Sequence, residues 1–189
     1  MVMVGENERT TQNRMMGLFR DKLQYACLGN WEERENNRNI EEALVHTYLA
    51  CRGYTEQEIT MAVRKLKEAA NNLNSGLYNA NKEVYGLLRY GVNIKPETGQ
   101  KTKNVYPIDW RNPLSNDFYI AEEVSIKGCN TKRPDMVVYV NGIALAVIEL
   151  KRSTVSVSEG IRQNLDNQQE YFIRSFFTTV QLIFAGNNS

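Results

Sequence analysis

Apolar and polar positions change rhythm near residue 92. Before it the spacing is helical. Residues 1–12 read as frayed, and Met15 to Trp31 as loosely helical, followed by the polar stretch ERENNRN. Asn39 is placed to cap a helix over 40–52, with Leu44, Tyr48 and Leu49 on one side and Gly53 ending it. Thr55 and Glu58 have the capping-box spacing and predict a second helix to about Asn74. A third helical segment, ANKEVYGLLRYG, closes at Gly91.

From Val92 onward the period shortens to that of strands. NVYPIDW reads as a short strand with a turn signal, and NDFYIAEEVSIKG as a longer one rich in aromatic and β-branched residues. RPDMVVYV, Asn141–Gly142 and IALAVIELKR form the strongest hairpin signal in the chain. The second arm is almost wholly apolar, as expected of a central strand covered on both faces. Ser156 or Ser158 opens a further helix with Ile161, Leu165, Phe172 and Phe176 at helical intervals, Ile161 and Leu165 expected to pack inward, and TTVQLIFAG reads as a last strand. The fold class is α/β (or α+β): a mixed sheet flanked by helices, with a mostly helical first half.

Composition narrows the class without naming a function. With 189 residues, 42% hydrophobic and 24% charged, the chain has the material for a folded domain with a sizeable core. It contains no run of eighteen apolar residues and no signal-peptide pattern at its start, so an intracellular, cytoplasmic protein with no membrane partner is expected. Net charge is +1, which neither requires nor excludes a nucleic-acid partner, since a basic groove can sit inside a balanced total. Three scattered cysteines, Cys27, Cys51 and Cys129, read as free thiols. With His46 as its only histidine, the chain is poorly equipped for a zinc site or a hydrolytic triad.

Charge at the end of an apolar strand is the feature that needs explaining. Glu149 and Lys151 are two residues apart and project to the same face, while Asp135 opens the partner arm. Two converging carboxylates suit a hard divalent cation, Mg²⁺ before others. Lys151, expected at the strand end with its charge solvated, would orient or deprotonate a water, or stabilise charge on a phosphate; the sequence leaves these roles open. A solvated Glu–Lys pair is the plainer reading of the same residues, and the hairpin context and Pro134 favour the site. Register supplies a condition. A regular two-residue turn would pair Asp135 with Ile148 and send it to the face opposite Glu149. A shared site therefore demands a bulge or an odd-length loop, expected within 140–144.

RPDMVVYVNGIALAVIELKRS resembles the nuclease core of the PD-(D/E)xK superfamily. NIEEALVHTYLACRGYT, LLRYGV, IDWRNPLSNDFYIAEEVSI and EGIRQNLDNQQEYFIRSFFTTVQLIFAGN, taken with it, resemble the N-terminal region of type I restriction enzyme R (restriction, or motor) subunits. The resemblance implies a restriction-endonuclease-like nuclease domain over 37–189, helical to about 91 with its sheet from about 92, and a helical extension over 1–36. It implies double-stranded DNA cleavage with Mg²⁺ by Asp135, Glu149 and Lys151, with the backbone carbonyl of Leu150 as a further metal ligand. A helix-borne glutamate is implied as well, Glu42 before Glu41. Gln163 matches the glutamine of the family's Q-x3-Y motif; the tyrosine position holds Asn167, with Tyr171 one turn later. Lys127, Lys132, Arg133, Arg152 and Arg162 are candidate contacts to the DNA backbone. Modification and specificity subunits are the implied partners. ATP is implied only for motor domains, whose G-x4-G-K-[ST] loop is missing here, so the chain reads as a nuclease-domain fragment ending abruptly at GNNS. The alternative is a module that docks to DNA or to other subunits and is inactive in isolation.

Overall fold

A computed structural model describes residues 8–95 and 101–187. The helical half consists of α1 (Glu8–Gly17), running into a π-helical turn over Leu18–Lys22, then α2 (Glu42–Cys51), α3 (Glu56–Asn71) and α4 (Leu77–Tyr90). Strands β1 (Ala26–Asn30), β4 (Phe118–Glu122), β5 (Met136–Val140), β6 (Ile143–Lys151) and β7 (Leu182–Asn187) form one mixed sheet in the order β1-β4-β5-β6-β7. The short β2 (Val92–Ile94) and β3 (Lys103–Val105) make a separate antiparallel pair. Helix α5 (Val157–Asn167) connects β6 to β7, which run parallel; it stops short of Phe172, in a turn, and Phe176, in a separate 3₁₀ segment, so the expected helical run through them is wrong. The α/β class, with helices gathered in the first half, is the one expected.

Local chemistry explains most of these boundaries. Thr55 Oγ1 accepts from Glu58 N and the Glu58 carboxylate accepts from Thr55 N, so the capping box opens α3 as predicted. Helix α4 stops at Gly91, whose φ of 88° L-residues rarely adopt. Ser156 caps α5 by accepting from Ser158 N.

Three further expectations fail. Ala26–Asn30 is not helical: it pairs in parallel with β4 at the sheet edge, a strand whose support is tertiary. Of the segment read as frayed, residues 1–7 lie outside the described residues, whereas Glu8 onward is helical. Asn39 caps nothing, because α2 begins after Glu41; the Asn39 amide instead donates to Ser175 O and Thr178 Oγ1.

Three apolar clusters hold the layers together. α2, α3 and α4 pack on β2, β3 and Ile143; Met16 and Phe19 lie over Ile120, Met136, Ile148 and Leu150 on one sheet face; Phe176, Phe177 and Trp31 cover Val137, Tyr139 and Val147 on the other. The β5–β6 turn is the joint between the helical half and the sheet. Asn141 and Gly142 both have positive φ, 51° and 86°, as a two-residue hairpin turn requires. A Cβ on Gly142 would stand 2.6 Å from Leu44 Cβ and 2.8 Å from Val45 N, so α2 can approach only a glycine. Gly142→Ala therefore combines a disfavoured dihedral with a backbone clash. It is expected to cost about 2 kcal/mol or more, read as a drop in Tm; an unchanged Tm would mean that the turn is not this tightly held.

Candidate active site

The β5–β6 hairpin meets the register condition in a specific way. Its turn is regular, with Val140 paired to Ile143 and Tyr139 to Ala144. The next pair is Val138 with Ala146, so Leu145 is an extra residue and the ladder shifts by one. The bulge thus lies at Leu145, one position beyond the 140–144 window. Beyond it Met136 pairs with Ile148, and the following step brings Asp135 to Glu149. Without the extra residue the two carboxylates would be on opposite faces.

The two acids face each other across the ladder, and Asp135 is partly withdrawn from water. Glu149 is fully buried. Burial first, and the Asp135 charge after it, push its carboxyl up to about 8 against the pull of Lys151. Burial likewise lifts Asp135 to about 6, against the pull of the Leu150 N–H and of Lys151. That N–H donates to Asp135 Oδ2 at 2.5 Å, which fixes the carboxylate beside the Leu150 backbone.

Helix α5 closes the site from above. Gln163 Nε2 donates to Glu149 Oε2 at 2.7 Å, and Gln163 Oε1 accepts from Lys151 Nζ at 2.8 Å. One turn later Asn167 Nδ2 donates to Glu149 Oε1 at 3.3 Å. Asn167, at the position where the family motif has tyrosine, thus reaches the same carboxylate, whereas Tyr171 is exposed. The expected inward packing of Ile161 and Leu165 is wrong: they are 48% and 50% exposed. The buried face of α5 carries Gly160, Asn164 and Asn167 instead. Asn167 serves the buried acid, Asn164 Nδ2 donates to Phe184 O, and Gly160 lets the helix close on the sheet, where a Cβ would stand 3.0 Å from Ala185 Cβ.

Lys151 also departs from expectation. Its side chain is only 16% exposed, not solvated, and Nζ lies 3.4 Å from Glu8 Oε1 as well as on Gln163. Glu8 is therefore the helix-borne glutamate that the structure places beside Lys151. Glu42 is held by Lys67 Nζ (2.7 Å) and Arg38 Nη1 (3.2 Å), and Glu41 by Arg34 Nη2 (2.6 Å); these are their side-chain partners among the described residues, and Asp135, Glu149 and Lys151 are not among them. Glu42 and His46 line a cavity of about 1050 Å³ between α2 and α3 that contains none of the three. Gln12 of α1 donates to the Asp135 carbonyl at 3.2 Å, tying this helix across the site. No side-chain pattern marks Glu8 or Gln12 in the sequence, since they lie more than a hundred residues before the strands they meet.

Among the described residues no three His, Cys, Asp or Glu side chains gather as a ready metal cage. The donor set that exists is two carboxylates and the adjoining Leu150 backbone, all hard oxygen donors. A buried and a partly buried acid side by side make a place where a divalent ion would be electrostatically welcome, so the residues fit Mg²⁺. Of the basic residues near the site, Arg133 is paired with Glu32 and Glu123, Arg162 with Glu159, and Lys132 stands 4.0 Å over the Phe172 ring. Lys127 and Arg152 are exposed.

Comparison with known proteins agrees with this picture at the level of family. The chain is 30% identical over 91 residues to the EcoprrI type I restriction enzyme endonuclease subunit of Escherichia coli, covering 47% of this chain and 29% of that protein. It is 27% identical over 130 residues to the protein named as the MjaIXP type I restriction enzyme endonuclease subunit of Methanocaldococcus jannaschii, covering 64% of this chain and 12% of that one. A Staphylococcus saprophyticus subunit named for the type I enzyme SsaAORF53P is 29% identical over 80 residues, 42% of this chain and 8% of its own length. The chain thus spans less than a third of each of these relatives. Among the described residues no helix is long and apolar enough to cross a membrane. The sequence profile described as the type I restriction enzyme R protein N terminus matches residues 5–189, and the chain belongs to that family.

Proposed function

We propose that this domain hydrolyses phosphodiester bonds in double-stranded DNA with the help of Mg²⁺, as the nuclease part of a type I restriction enzyme R subunit. The observation that carries the reading is the convergence of the buried Glu149, the partly buried Asp135 and Lys151 at one strand end, with Gln163 spanning Glu149 and Lys151. Asp135, Glu149 and the Leu150 carbonyl would hold the cation. When bound, it would make an attacking water more acidic and neutralise charge on the scissile phosphate. Glu149, which keeps its proton at neutral pH, must lose it to become a ligand, so binding at neutral pH releases a proton from the protein. Lys151 donates hydrogen bonds at the edge of the site, toward water or a phosphate oxygen, and Gln163 and Glu8 fix its direction. Gln163 and Asn167 hold the Glu149 carboxylate in place. In the cytoplasm, modification and specificity subunits would supply target recognition, and ATP would act on motor domains outside this chain.

Calorimetric titration of the chain with Mg²⁺ tests the reading. Binding is expected with proton release that scales with buffer ionisation heat. Asp135→Asn and Glu149→Gln should each weaken it at least about tenfold, while Lys151→Met leaves binding in place. Undiminished binding by both carboxylate variants would sink the assignment, and a chain that binds duplex DNA but no divalent ion would be a docking module instead.

A further inference from the structure

A second pocket lies at the other end of the sheet, and its chemistry is different. About 520 Å³ in volume, it is walled by Tyr54, Tyr90, Tyr106 and Trp110 together with Arg89 and Arg111. Its floor is anchored to the far end of β5. Asn116 Oδ1 accepts from Tyr48 Oη, from Asp109 N and from Asn141 Nδ2, and Asn141 is the residue directly after β5. Asp135 precedes the opposite end of that strand, so the two sites are separated by the length of β5, roughly 15–20 Å.

Three of the four aromatic walls are held in place. Trp110 Nε1 donates to Leu88 O at 2.7 Å, leaving the ring 42% exposed with the Arg89 guanidinium 5.3 Å from its centroid. Tyr106 sits where Gly91 leaves room: a Cβ there would be 2.9 Å from Tyr106 Cε1. Tyr54 Oη accepts from Tyr106 N, and Tyr90 is 73% exposed. Charge in the pocket is unbalanced. Its one acid, Asp109, is held below the usual carboxylate range by Asn112 N, Ser115 Oγ and Arg111 N, and Arg52 lies 3.8 Å away. Arg89 and Arg111 have no carboxylate partner among the described residues, so two guanidinium groups stay available beside four aromatic rings. Flat π-faces next to unpaired guanidinium groups are what a base joined to a phosphate requires.

We propose that this pocket binds one nucleotide, its base stacked among Tyr90, Tyr106 and Trp110 and its phosphate on Arg89 and Arg111. The nucleotide is supplied either by an unpaired stretch of DNA strand or free in solution. The pocket is independent of the metal reading, because it shares no residue with Asp135, Glu149 or Lys151.

Tryptophan fluorescence tests it without any cleavage assay. The chain has two tryptophans, and Trp31 is buried, so quenching by a stacked base reports on Trp110. Titrations of the 189-residue chain would use dTMP, oligo(dT), blunt duplex DNA and inorganic phosphate, all with EDTA present. Both dTMP and oligo(dT) are expected to quench saturably, and Arg111→Ala and Tyr90→Ala should each weaken this about tenfold or more at unchanged Tm. Oligo(dT) binding far tighter than dTMP identifies a DNA strand as the source; equal affinities identify a free nucleotide. Quenching by neither, equal binding by the variants, or full competition by phosphate or duplex DNA alone would each overturn the proposal.

Discussion

In an assembled restriction complex, Lys151→Met is expected to lower double-strand cleavage by about a hundredfold or more while ATP hydrolysis and translocation continue. Methionine keeps the aliphatic stem, which matters because the Lys151 side chain is only 16% exposed. The variant removes the ammonium that Gln163 and Glu8 hold in place and leaves both carboxylates where they are. The separation of activities rests on the absence of a phosphate-binding GK[ST] loop in this chain. Cleavage and ATPase rates measured on the same purified complexes, with assembly checked, decide the matter. Full cleavage by the variant would remove Lys151 from the chemistry, and loss of both activities in an intact complex would refute the division of labour.

Glu149→Gln is expected to stabilise the metal-free domain at high pH while abolishing metal-dependent cleavage. The folded carboxyl titrates at about 8 against an ordinary value of 4.5. Between those values the folded state keeps a proton that the unfolded chain has released, so stability is greatest at low pH and falls as pH rises through about 8. Glutamine removes that penalty. With EDTA present, the variant should gain on the order of 4 kcal/mol over wild type at about pH 8.5 and about 1 kcal/mol at about pH 5.5. Urea unfolding at the two pH values measures it. A variant no more stable than wild type at the higher pH would show that Glu149 is not held protonated by its surroundings. Adding Mg²⁺ should restore the wild type and leave the variant unchanged.

Where sequence and structure agree, the interaction is local. The Thr55–Glu58 cap, the stop at Gly91 and the Asn141–Gly142 turn each depend on residues within one turn of chain, and all three are found. Ala26–Asn30 was misread because nothing in ACLGN favours a strand except the partner β4, about ninety residues later. Asn39 has a side chain suited to capping, but the nearby Ser175 carbonyl and Thr178 hydroxyl claim it. Ile161 and Leu165 follow helical periodicity, and periodicity assumes that the inner face is apolar. Here the inner face serves a buried glutamate and the Phe184 carbonyl, so polar residues take it and the apolar ones are left outside.

The site was legible to the extent that it lies on one hairpin and the helix after it. Asp135, Glu149, Lys151 and Gln163 are brought together within the span 135–163, and the need for a register shift followed from counting alone. Placing that shift at Leu145 did not follow, since a bulge can sit at several ladder positions with the same effect on parity. Glu8 and Gln12 reach the site only because α1 folds back over the sheet. Glu42 satisfied the sequence argument, being helix-borne and acidic, yet its helix packs at the turn end of the hairpin, where Lys67 and Arg38 neutralise it.

If Asp135, Glu149 and the Leu150 carbonyl, aligned by the Leu145 bulge, hold a metal ion, anomalous diffraction from crystals soaked in Mn²⁺ will place it. One anomalous peak is expected within about 2.2 Å of an oxygen from each of the three, and it should vanish in Glu149→Gln crystals treated alike. A wild-type crystal with bound Mn²⁺ elsewhere in the domain and none between these two carboxylates would contradict the account.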